Sequence, residues 1–176
     1  MTMQLIASYT LPADTTTYTF SALQSYDDLF IVASARGYGL SGTDRDALAL
    51  RFNADNTSVY TYFRGYAIGS ARGSDFDTAD RLLLGYIPGR NAAPSNVYSA
   101  TTIYIPQYRS TNSVKTLICD SNAENTTNGS NGISFTTGVW NNSGSAISSI
   151  TFGIWDGFGS YSLLAGSTLS IYGIST

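Results

Sequence analysis

The chain has 176 residues, a net charge of −3 and charged side chains at only 12% of positions. That length fits one domain, which buries roughly 70% of its unfolded surface and needs no covalent staples. The acidic balance argues against a nucleic-acid partner, which calls for a basic face. No run approaches the roughly 18 apolar residues of a membrane helix.

Histidine is absent, which excludes a Ser–His–Asp triad, His-ligated zinc and the usual general base near neutral pH. The single cysteine, Cys119, excludes an internal disulfide framework and reads as a small buried hydrophobe within LIC. Thirteen tyrosines and seventeen glycines, with abundant Ser, Thr and Asn, point to strands rather than helices. The N-terminal residues MTMQLI lack the positive start and apolar run of a signal peptide, so no cleaved export leader is expected.

In chain order, residues 3–11 (MQLIASYTL) predict a first strand ended by Pro12, and 16–20 a short threonine-rich strand. Residues 29–35 (LFIVASA) form a nearly continuous apolar run, expected to be a central strand buried on both faces. Residues 36–46 read as a loop. Residues 47–54 and 59–68, around the turn signal Asp55-Asn56, predict a hairpin, with Gly65 marking a bulge or strand end. Residues 69–80 read as a polar loop. Strands are predicted over 81–87, 97–105, 114–119 and 132–140, with 120–132 an exposed loop. The C-terminal residues 146–176 hold two alternating runs, Ile150–Phe152–Ile154 and Leu169–Ile171, separated by the turn Asp156–Ser160. They predict a closing hairpin onto which earlier strands pair.

About ten short strands at roughly twelve-residue spacing, without an internal repeat, predict an all-β fold. The expected architecture is a single domain over 1–176, a jelly-roll-like antiparallel β-sandwich of about 8–10 strands, with residues 1–13 an arm or an edge strand.

Chemical signatures in the chain are few. A glycosidase needs two carboxyls facing each other, one with a raised pKa; Asp44, Asp46, Asp75, Asp77 and Asp80 lie in glycine-rich polar segments and read as solvated charge. Asp75, Asp77 and Asp80 offer oxygen ligands for calcium but lack the glycine and distal glutamate of a helix–loop–helix site. Neither G-x-S-x-G nor a phosphate-binding P-loop occurs. The expectation is a non-enzyme without cofactor or metal.

Aromatic clusters are the remaining signal. Tyr60, Tyr62 and Tyr66 crowd one strand, Tyr104 and Tyr108 flank another, and Trp155, Phe158 and Tyr161 surround the last turn. With so little charge to cover the surface, these eight are the candidate interface residues.

The segments DLFIVASARG, LALRFNADNTSVYTYFRG and ISSITF…LLAGSTLSIYGI resemble small virion structural proteins of tailed bacteriophages, over the chain from Asp28 to Ile174. The resemblance implies a jelly-roll or sandwich module assembled in the host cytoplasm and located on the virion. It implies a capsid decoration (cement) protein, a homotrimer contacting the major capsid protein or other virion proteins. The alternative is a tail-associated module that binds surface glycans. Neither nucleic acid nor membrane is an expected partner.

Overall fold

Strands carry most of the chain. The computed structural model describes residues 1–23, 25–39, 45–90, 95–124 and 131–175. In order they form β1 (Thr2–Thr10), β2 (Thr17–Ser21), β3 (Asp28–Ser34), β4 (Gly37–Tyr38), β5 (Arg45–Phe52), β6 (Tyr60–Ile68) and β7 (Ala71–Ala79). There follow β8 (Leu82–Pro88), β9 (Ala100–Ile105), β10 (Lys115–Ala123), β11 (Gly132–Trp140), β12 (Ser149–Ile154), β13 (Ser162–Leu163) and β14 (Thr168–Ser175), with one 3-10 turn at Trp155–Gly157. Every pairing between these strands is antiparallel.

An eight-stranded sheet of order β1-β14-β3-β9-β10-β11-β6-β7 faces a four-stranded sheet of order β2-β12-β5-β8, with β4 and β13 forming a two-stranded ribbon. This is the jelly-roll-like antiparallel sandwich expected from the strand pattern, with more strands than expected: residues 71–79, read as a loop, are β7, and the short β4, inside the expected loop 36–46, and β13 are additional. Alternating Asp75, Asp77 and Arg72 concealed that strand, which a sheet edge tolerates because one flank meets water.

Neither predicted hairpin forms. β5 pairs with β12 and β8, whereas β6 pairs with β11 and β7. The chain therefore passes from one sheet to the other between β5 and β6. The backbone at Asn53 and Ala54 takes positive φ of 53° and 56° there, and the Asn53 side chain bonds Ala146 O and the Ser148 and Ser149 N–H groups. The C-terminal runs likewise divide, β12 into the small sheet and β14 into the large one. The expected closing role holds for β14 alone, which pairs with both β1 and β3. Residues 1–13 are an edge strand and its exit rather than a free arm.

The core lies between the sheets. β8 crosses β10 and β11 closely, aided by a bulge at Leu84 and by Gly85 at φ 154°. A Cβ on Gly85 would collide with the Ser134 hydroxyl and with Ser121 Cβ, so small side chains must stand beneath it. Ser121 Oγ donates to Tyr86 O at 2.7 Å and shares a 2.7 Å bond with Thr101 Oγ1; Tyr86 N–H donates to Ser134 Oγ at 3.3 Å. At the opposite end Trp140, Tyr60 and Phe52 fill the core, and Trp140 Nε1 donates to Asp55 Oδ2 at 2.9 Å. Cys119 is fully buried, as expected.

Asp46, read from the sequence as solvated charge, is instead a buried carboxylate. It is 4% exposed, accepts a 3.2 Å bond from Gly39 N–H, and burial raises its pKa from 3.8 to about 6. Between those values the folded state holds the proton more tightly than the unfolded chain, so stability falls as pH rises through that window. Asp46→Asn keeps an acceptor for Gly39 and removes the titration. Urea unfolding of both proteins is expected to show wild type losing up to about 3 kcal/mol relative to Asp46→Asn between about pH 4 and pH 6.5.

Candidate functional site

β11 is where the sequence pattern and the sheet disagree in an informative way. Side chains alternate along a strand, and here the inward set is Gly132, Ser134, Thr136, Gly138 and Trp140, while Ile133 and Phe135 point out. The small inward residues are those that β8 requires: a Cβ on Gly138 would meet Leu82 Cδ2 at 2.7 Å, and one on Gly132 would meet the Tyr86 ring at 3.3 Å. Period two then sends the apolar residues to the outer face.

The same face continues over neighbouring strands. Across the register run Phe76, Phe63, Thr137, Ile118, Tyr104, Phe30, Tyr172 and Leu5, one residue from each strand of the large sheet. Phe76 is 73% exposed, and Phe63, Ile118 and Leu5 are also exposed. None of the second sheet covers this row, because β2, β12, β5 and β8 lie on the other side. β3 is thus buried on one face only, with Val32 exposed, which corrects the expectation of a strand buried on both.

The next rows enclose a hollow of about 600 Å³ over β6, β9, β10 and β11. Its apolar half is Ala67, Ile133 and Phe135; its polar half is Thr102, Asp120 and Asn122. Asp120 and Asn122, expected in a loop, belong to β10; residues 125–130 of that expected loop lie outside the described residues. Asn122 Oδ1 accepts the Ala100 N–H at 3.2 Å. Gly65 lies at the margin of the hollow, and β6 pairs through it without a register shift on either side. The predicted bulge is absent.

Most of the aromatic residues singled out from sequence face the other way. Tyr60, Tyr62 and Tyr108 are core residues. Tyr60 Oη donates to Phe52 O at 3.2 Å, and burial raises the phenol's pKa well above its ordinary value. Tyr66 stands edge-on to Tyr86, with the Arg64 guanidinium over both rings. Trp155 stands edge-on to Tyr62, Arg51 and Arg81 lie over Phe158, and Tyr161 packs against the core. Only Tyr104 lies on the outer face, its Oη donating to Asp28 at 2.7 Å. Crowding in the sequence marked packing, and within the same aromatic patch alternation sends Phe63, between Tyr62 and Arg64, to the opposite face.

The aspartates do not converge. Asp75 pairs with Arg64, Asp80 with Arg51 and Arg81, and Asp77 accepts its neighbour's Thr78 N–H at 2.8 Å. Among the described residues no three acidic, Cys or His side chains gather as a metal site.

No family model and no curated protein matches the chain. Distant likenesses exist among solved structures. Peanut lectin is 10% identical over 99% of this chain and 92% of that one, with a TM-score of 0.31. The Emp47p carbohydrate recognition domain is 12% identical over 98% and 88%, TM-score 0.30. Scytalido-glutamic peptidase is 9% identical over 95% of this chain and 66% of its own length, TM-score 0.29. Likenesses this distant carry no argument about ligand or activity.

Opposite facing of adjacent aromatics makes a direct prediction. Tyr60→Ala is expected to destabilise the fold by about 3–5 kcal/mol, the range for emptying a buried aromatic site. Phe63→Ala is expected to stay within about 1 kcal/mol. Denaturant unfolding of the pair checks the assignment of faces.

Proposed function

We propose that this protein is a structural component of a tailed-phage virion, a capsid decoration (cement) protein that forms a homotrimer and clamps neighbouring capsid subunits. The observation that carries the reading is the uncovered apolar row on the outer face, densest where Phe63 and Phe76 sit directly opposite each other at the β7 margin. Burying one exposed phenylalanine contributes roughly 1.5–3 kcal/mol, and large apolar side chains clustered on a soluble surface mark contact sites. Aromatic anchors of this kind carry most of the affinity in protein interfaces.

The electrostatics fit a protein that works by contact. Arg51, Arg64 and Arg81 are held in internal ion pairs and over rings. Few charges are left to oppose docking of the outer face. The predicted segments that resemble virion proteins include β3, β5, β6 and β14, which build both sheets.

Two measurements test the reading. Light scattering is expected to find trimers of the wild type and monomers of Phe63→Glu/Phe76→Glu. Virions lacking the protein are expected to lose heat resistance that wild type restores and the double variant does not. A monomeric wild type, or particles equally robust without it, rejects the proposal.

A further inference from the structure

Gly65 is a glycine without a packing reason. It occupies the middle of β6, paired on both sides, where glycine is unfavourable by roughly 0.5–1 kcal/mol relative to alanine. A Cβ there would have no heavy atom within 4 Å. The Phe135 ring, directly opposite in register, therefore does not fold over it, and no neighbour demands the space. With a bulge excluded, close approach of a ligand or another backbone is a remaining reason for a glycine in a strand interior.

The surroundings define what approaches. Phe135 and Ile133 are exposed on one half of the hollow, the latter at 61%. Asp120 stands opposite Phe135 in register and adjoins Thr102 on its other side, and no described residue donates to its carboxylate. Asn122 has its oxygen fixed by Ala100 N–H, which aims its amide donors. Among the described residues Asp120 is the one charged group in the lining, with Arg72 standing beside it only across the register from Ala67 on β7, so an anion inside the hollow would meet a carboxylate. An ammonium ion wants acceptors alone, whereas this wall alternates a carboxylate acceptor, an amide donor and a hydroxyl that is both. Adjacent ring hydroxyls of a sugar are donor and acceptor at once, and the C–H face of a pyranose is apolar.

We propose that the hollow is a binding site for a neutral pyranose, with the sugar's C–H face on Phe135 and Ile133, its hydroxyls on Asp120, Asn122 and Thr102, and its edge in the space over Gly65. This goes beyond the virion reading and stands without it. The volume suits one to a few sugar rings, within the roughly 300–1,000 Å³ of small-ligand sites.

The test uses the full isotopically labelled chain in an NMR titration with glucose, galactose, mannose, N-acetylglucosamine and their β-linked disaccharides. Tetramethylammonium and inorganic phosphate are the comparison arms. The expected result is saturable amide shifts around Gly65, Asp120 and Phe135 with at least one sugar, at a dissociation constant on the order of 1 mM or tighter. Gly65→Val adds a Cβ that meets no heavy atom within 4 Å and is expected to fold normally, which its far-UV circular dichroism and unfolding midpoint check. It, Phe135→Ala and Asp120→Ala should each weaken binding at least about tenfold, the loss of one charged hydrogen bond or its equivalent. The trimer assay is expected to read the same for Gly65→Val as for wild type, so the two proposals fail separately. Shifts only with tetramethylammonium or phosphate, shifts confined to another surface, no shift with any sugar, or undiminished binding by folded Gly65→Val and Phe135→Ala would overturn it.

Discussion

The close seating of β8 against β10 and β11 governs much else in this molecule. Gly85 and the bulge at Leu84 let that strand press onto the large sheet, leaving room only for Ser121, Ser134, Gly138 and their like beneath it. A strand cannot place small residues inward without turning the intervening positions outward. β11 is consequently amphipathic in the reverse of the usual sense. Its Ser134 and Thr136 face the interior, where Ser134 and Ser121 of β10 bond to Tyr86 backbone groups, and its isoleucine and phenylalanine face water.

A core with so many hydroxyls in one half needs compensation in the other. The aromatic end supplies it: Trp140 stacks on Tyr60 with ring planes 16° apart, and Phe52 packs against both. Their polar atoms are matched. Asp55 receives the indole N–H, and burial, which by itself would raise its pKa, is outweighed by hydrogen bonds from Thr57 and Trp140 that lower it. Lys115, the only lysine, is buried there too, with Nζ donating to Ser113 O at 2.6 Å; desolvation lowers its pKa. Buried polar groups matched in this way fix one arrangement of the sheets, because unmatched alternatives carry the full desolvation penalty.

Charge and apolar surface end up in different parts of the molecule. Arginines are drawn into ion pairs with Asp75 and Asp80 and onto the rings of Tyr86, Trp155 and Phe158. The outer face receives the exposed phenylalanines and, near one end, a mixed patch of ring, carboxylate and amide. A surface of that composition supports the two contacts proposed for it, a protein neighbour at the β7 margin and a small polar ring over Gly65.

Strand-forming composition, short spacing and the absence of histidine were enough to read an all-β sandwich and to discount the common catalytic arrangements. β11 was legible to the residue at both ends, and Cys119 as a core residue. What composition and period could not supply was which sheet each strand joins: β5 and β6, adjacent in sequence, lie in different sheets, as do β12 and β14. Nor could they say which of two opposite faces is covered. Alternation is symmetric, so Tyr60, Tyr62 and Phe63 look alike in sequence until another layer covers one side. The covered side was chosen by long-range packing, above all by β8 lying on β10 and β11. That choice buried the tyrosines and left Phe63, Phe76 and Phe135 facing out.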